Sequence, residues 1–151
     1  MIITEILDKS CILVPLEADD KTEAITRLVD ALEASGKLRD RDDVLRAVLA
    51  RERTRSTGIG EGLAVPHGKS SGCERLLLAI GKPAKPIDFG SRDGRPCDLV
   101  FLLASPANEM GPHIQALAKI SRIWLAPAFR RAVARANTVE DLHAAIEEFQ
   151  G

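Results

Sequence analysis

The chain is 151 residues long, 45% hydrophobic and 28% charged, and its 21 basic and 22 acidic residues leave a formal net charge of −1. That length suits one domain around one core, and the even charge balance gives no electrostatic footprint for nucleic acid or an anionic membrane. Aromatic residues make up 3% and Tyr is absent, so the core has to be aliphatic, and the composition argues against a base-stacking platform.

The opening MIITEILDKS carries acidic residues early and has no basic stretch leading into an apolar one, so it does not read as a signal peptide. No apolar run approaches the roughly 20 residues that span a bilayer. Together these make the cytoplasm the expected location, with no membrane insertion. Residues 11–16 form a short apolar run closed by Pro15 and acidic residues, a first strand. Asp19 and Asp20 offer N-cap chemistry to a helix whose apolar positions are Ile25, Leu28, Val29 and Leu32, and Gly36 ends it. Asp40 caps a second helix with the stripe Val44, Leu45, Val48 and Leu49, which runs out at Arg51-Glu52-Arg53. The apolar runs 76–80 and 98–104 predict strands buried on both faces, so helices are expected above and below one sheet. Between them a turn-rich stretch holds a short edge strand around Ile87. Pro112 opens a helix on which His113, Leu117, Ile120 and Trp124 share one side. Pro127 breaks that helix. Two more follow over 128–136 and 139–149, the second capped by Thr138 with Asp141 three residues on. The order predicts a single α/β domain, residues 1–151, with a small sheet in the middle of three layers.

The segment between the second helix and the first buried strand, TGIGEGLAVPHGKS (57–70), carries the chemistry. Its Gly68-Lys69-Ser70 tail imitates a P-loop, but the glycine that motif needs five places earlier is Leu63 here, and Pro66 removes a backbone N–H from the loop. Gly58, Gly60 and Gly62 are spaced G-x-G-x-G and follow a helix, so a dinucleotide fingerprint fails as well. The three cysteines, Cys11, Cys73 and Cys97, are far apart and form no CxxC pair, so neither a disulfide framework nor a zinc site is indicated. No metal ligands or cofactor motif emerge. Pro66 and Gly68 hold His67 on a stiff backbone with little bulk around it, and a neutral imidazole nitrogen is a nucleophile for phosphorus. Arg51, Arg53 and Arg55 lie just upstream, fit either to clamp phosphate oxygens or to complement a helix C-terminus. His113, in a first helical turn after a buried strand, fits either a site beside His67 or a place on the core-facing side of its helix. A histidine between Pro and Gly also fits a plain turn at a strand end.

The residues Arg51-Glu52, Ser56-Thr57-Gly58-Ile59-Gly60 and Ala64-Val65-Pro66-His67-Gly68-Lys69 together resemble the signature of the fructose/mannitol-type enzyme IIA domain of the bacterial phosphotransferase system. The opening segment, the ILVPL strand and the first helix look most like the nitrogen-regulatory branch. The resemblance spans nearly the whole chain. It implies that His67 is the phosphorylated residue, as a tele-phosphohistidine, with phosphate supplied by an HPr-like carrier protein (the NPr of the nitrogen branch). It implies that Arg51 and His113 flank it, that the fold has three layers around a small mixed sheet, and that the phosphorylation state is a signal read by potassium transport or other regulatory targets. A sugar-transport role, passing phosphate to a permease IIB domain, is the alternative. Glu61 stands where Asn or Asp is common in the family, and Gly111-Pro112 replaces a more polar lead-in to His113.

Overall fold

The computed structural model describes residues 1–151. Six strands form one mixed sheet: β1 (Leu7–Leu16), β2 (Gly58–Gly60), β3 (Leu63–Ala64), β4 (His67–Lys69), β5 (Leu77–Pro83) and β6 (Leu99–Ser105). The order is β1-β5-β6-β3-β2, with β4 also paired to β6. The β1–β5, β3–β6 and β4–β6 pairs are parallel, and β5–β6 and β2–β3 are antiparallel. Five helices cover it: α1 (Lys21–Ala34), α2 (Arg41–Thr54), α3 (Met110–Trp124), α4 (Pro127–Arg135) and α5 (Val139–Phe149).

The period of two along a strand sorts side chains to opposite faces. Leu99, Phe101 and Leu103 of β6 join Leu78 and Ile80 of β5 in a core with α3, α4 and α5. Val100, Leu102 and Ala104 join Leu77 and Ala79 in a second core with α1 and α2. The expected three-layer α/β architecture with a small mixed sheet is the one observed. The helix starts follow the predicted caps: the side chains of Asp20, Asp40 and Thr138 accept from Glu23, Asp43 and Asp141 N–H groups at 2.8, 3.1 and 3.0 Å.

Four details differ from the sequence reading. β1 starts at Leu7 and contains Pro15, which it tolerates as an edge strand, where a missing N–H costs no ladder bond. Ile87 makes one isolated bridge to Cys97, not a strand. α3 begins at Met110, so Pro112 is its third residue, still within the first turn, whose N–H groups have no helical acceptor. The glycine segment, read as a turn leading into a short apolar piece, is folded into β2, β3 and β4. Pieces of 3, 2 and 3 residues are too short to show a period in sequence.

Candidate functional site

Residues 63–69 run beside β6 in two steps, Leu63 opposite Leu99 and His67 opposite Leu103. Leu63 and Val65 point into the α3–α5 core, and alternation sends His67 to that same face. Gly68 faces the other way, onto α2. A Cβ there would lie 2.9 Å from the Val48 backbone nitrogen, so only glycine lets β4 lie this close to the helix. Gly68 thus serves helix packing as well as leaving the ring unhindered. Between β2 and β3, Gly60, Glu61 and Gly62 all take positive φ, 97°, 56° and 87°. Asn and Asp adopt that conformation more readily than Glu, so Glu61 holds it at some backbone cost.

The His67 ring is half-buried. Its Nδ1 lies 2.8 Å from the Val65 carbonyl. A carbonyl only accepts, so Nδ1 carries the proton and Nε2 keeps a free lone pair. Burial is the largest influence on this ring and pushes its pKa below the ordinary 6.5; the Val65 carbonyl pulls it up, and the Arg51 charge adds to the depression. The imidazole is neutral at pH 7.

His113, in the first turn of α3, meets His67 edge-on with ring centroids 5.3 Å apart and planes at 64°. It is buried, and its Nδ1 lies 2.6 Å from Ser105 Oγ at the end of β6. Its pKa is pushed down to about 4, first by burial, then by His67 and by Lys69. Both readings left open for it therefore hold together: it sits on the core side of its helix and against His67.

A cleft of about 690 Å³ opens beside His67, lined by Arg51, Arg55 and Arg92 among others. None of these three guanidinium groups is paired with a carboxylate. Arg51, in the last turn of α2, donates to the Arg55 carbonyl at 2.8 Å. It closes its own helix while lining the cleft. Its neighbour Glu52 turns inward, 3% exposed. There Glu52 accepts from the Thr57 N–H at 3.0 Å and from the Thr57 hydroxyl, and Lys21 approaches at 3.4 Å. The carboxylate closest in sequence is thereby spent on pinning the glycine segment, and no carboxylate pairs with the cleft arginines.

The structure brings His67, His113 and Arg51 to one place. Arg55 joins them, whereas Arg53 is exposed outside the cleft. The P-loop-like tail is strand β4 and its turn, and Ser70 bonds Asp43 and the Gly72 N–H instead of a phosphate. No group of His, Cys, Asp and Glu side chains is placed to hold a metal ion, and no helix is long and apolar enough to cross a membrane. Sequence reasoning missed Arg92 and Ser105, and it named Glu52 only as part of the Arg51-Glu52 signature, without its role. Glu52 left a signal, a charge at the next step of the Val44–Val48 stripe. Arg92 left none, because a turn-rich stretch gives no direction to its side chains.

Residues 5–149 match the family model described as "Phosphoenolpyruvate-dependent sugar phosphotransferase system, EIIA 2". The chain belongs to this family. It is 36% identical over 138 residues to a fructose-specific EIIABC component of Bacillus subtilis, covering 91% of this chain but only 22% of that longer protein. It is 37% identical to a nitrogen regulatory protein of Bradyrhizobium diazoefficiens, covering 82% of this chain and 80% of that one. The crystal structure of nitrogen regulatory protein IIA-Ntr from Neisseria meningitidis superposes with a TM-score of 0.87 at 30% identity, covering 95% of this chain and 98% of that one. The family expected from the sequence is thus the family found, with relatives in both its transport and its nitrogen-regulatory branches.

Proposed function

We propose that this chain is a phosphoryl carrier of the nitrogen-related phosphotransferase system, in which His67 receives a phosphoryl group from a phosphohistidine on an HPr-like carrier protein. One observation carries the reading. The Val65 carbonyl holds the proton on Nδ1 of His67 and leaves the Nε2 lone pair beside a cleft of carboxylate-free arginines. That is the nitrogen whose phosphorylation gives a tele-phosphohistidine.

In the transfer, the Nε2 lone pair forms a bond to phosphorus while the bond from phosphorus to the donor's imidazole nitrogen breaks. The electron pair leaves with the donor ring. No proton has to move, because Nδ1–H stays on the Val65 carbonyl, where it stabilises the positive charge growing on the His67 ring. The transition state is loose, so catalysis is mostly positioning and charge stabilisation. Arg51 stabilises the equatorial oxygens and His113 hydrogen-bonds one of them. Arginine and backbone dipoles supply the positive field, and no cofactor enters the step. The phosphorylated state adds about −1.5 to −2 charge at this one spot, enough to change which partner docks there.

The experiment is transfer of labelled phosphate from the phosphorylated carrier. The wild-type chain takes up one acid-labile phosphate and His67→Gln takes up none; label retained by His67→Gln overturns the assignment. The likeness to a fructose-specific component supports a second reading, onward transfer to a permease IIB domain. Loss of label from the phosphorylated chain to a fructose-type IIB domain selects that reading. Label that stays put selects the regulatory one, which the likeness to nitrogen regulatory proteins favours.

A further inference from the structure

We infer that Ser105 is a positioning residue: its hydroxyl fixes the tautomer of His113 so that the ring presents an N–H, not a lone pair, to a phosphoryl group on His67. This rests on the reading of His67 as phosphoryl acceptor.

Ser105 ends β6 and is fully buried at 0% exposure. Its hydroxyl makes one hydrogen bond, to His113 Nδ1 at 2.6 Å. A hydroxyl has one proton to donate and can also accept. If Nδ1 carried the imidazole proton, Ser105 would accept it, and its own O–H would be buried with no acceptor, an uncompensated desolvation. If Ser105 donates, both the hydroxyl and Nδ1 are satisfied. Nδ1 of His113 is then the acceptor, and the neutral ring carries its proton on Nε2.

The two histidines thereby hold opposite tautomers for opposite tasks. A backbone carbonyl puts the His67 proton on Nδ1, freeing Nε2 to attack. A serine hydroxyl puts the His113 proton on Nε2, making that ring a donor to phosphoryl oxygens across a 5.3 Å ring separation. Without the hydroxyl, His113 populates both tautomers, and one of them turns a lone pair toward the oxygens.

Nitrogen-15 NMR of the imidazole rings in the full chain at pH 7.5 tests the assignment. In the wild type, His113 shows a protonated Nε2 and an unprotonated Nδ1, and in Ser105→Ala the two forms mix. The labelled-phosphate rate onto His67 falls about tenfold in Ser105→Ala, the scale of one lost hydrogen-bond preference, while the phosphate taken up at completion is unchanged. In a His113→Ala background the same substitution changes nothing further. A wild-type His113 protonated on Nδ1, a tautomer indifferent to Ser105→Ala, or a loss that persists without His113 overturns the inference. A wild-type chain that takes up no phosphate at all overturns the carrier reading, and with it the kinetic half of this inference; the spectra judge the tautomer on their own.

Discussion

Two clefts of similar size, about 690 and 590 Å³, carry basic residues, and they are prepared for different things. In the second, Arg95 pairs with Glu61 and Asp98. Lys82 donates to the Ala134 and Ala136 carbonyls, and Arg130 donates to the Trp124 carbonyl. Lys82 thereby ties the end of α4 to β5, Arg130 ties α4 to the end of α3, and Arg95 ties the 84–98 stretch to the β2–β3 turn, and only Arg131 is left free. In the first, Arg51 donates only to the Arg55 carbonyl at its own helix end, Arg55 and Arg92 have no side-chain partner, and Nε2 of both His67 and His113 is unspent, since only their Nδ1 atoms are bonded within the fold. What separates a site from a scaffold here is not the count of positive charges but whether the protein already satisfies them.

The sharpest way to break this contrast is to remove one guanidinium from each cleft. Arg51→Ala is expected to slow phosphate transfer from the carrier by about 10²–10³, the usual scale for one preorganised donor to transition-state charge. Arg130→Ala is expected to leave the transfer rate unchanged and to cost stability. Equal losses of rate would mean that any cation on the chain serves and that a place beside His67 is irrelevant.

A second way is to take away the carboxylate that pins Thr57, in the glycine segment lining the first cleft. Glu52→Ala strands the buried Thr57 N–H and hydroxyl, and is expected to destabilise the chain by about 2–3 kcal/mol in urea unfolding. Adding Thr57→Val to Glu52→Ala, which also removes the hydroxyl, is expected to recover little, because the Thr57 N–H stays unpaired. An undiminished midpoint in Glu52→Ala would show that the glycine segment holds itself in place.

These contrasts also mark what was legible in the sequence. Helix caps at Asp20, Asp40 and Thr138, and the buried runs of β5 and β6, are local or periodic signals, and they came through. His67 was legible because Pro66 and Gly68 constrain its backbone in sequence. Arg51 was legible from the family signature and His113 from its place after a buried strand. Arg92 and Ser105 were not. Each matters through a partner brought near only by tertiary folding, and an isolated Arg in a turn or Ser at a strand end carries no periodic mark. The strands β2, β3 and β4 escaped for a related reason: their extended shape comes from pairing with one another and with β6, not from their own glycine-rich composition.

The histidine pair distinguishes the two clefts by pH as well. His113 has a folded pKa of about 4 against an ordinary 6.5, and His67 is shifted the same way. Between those values the unfolded chain binds more protons than the folded one, so stability is highest above about pH 6.5 and declines as pH falls. Each such proton contributes about 1.4 kcal/mol per pH unit. The carboxylates of Asp8, Asp43, Glu74, Asp93 and Asp141, all held below their ordinary values, add their losses only at lower pH. His113→Asn is therefore expected to flatten the decline between pH 6 and 5 by roughly 1 kcal/mol. An identical slope in both proteins would mean that His113 titrates as a solvent-exposed group does.

The smallest expected effect concerns the apolar rim of the first cleft. Leu63 and Val65 belong to the core, but Ile59 is 52% exposed on β2 beside His67. A half-exposed isoleucine contributes little to folding, so Ile59→Ala is expected to change stability by less than about 0.5 kcal/mol. On the proposed carrier reading, a partner bringing a phosphohistidine to His67 covers this rim and removes Ile59 from water. Losing its methyl groups is then expected to weaken carrier binding roughly three- to tenfold, read as a raised KM for the carrier with kcat kept. Ala134→Gly beside the second cleft is the matched control, predicted to leave that KM alone. A stability loss in Ile59→Ala with an unchanged KM would make this side chain part of the fold's support and move the docking surface to the α3 side, where Met110 and Ile114 are exposed.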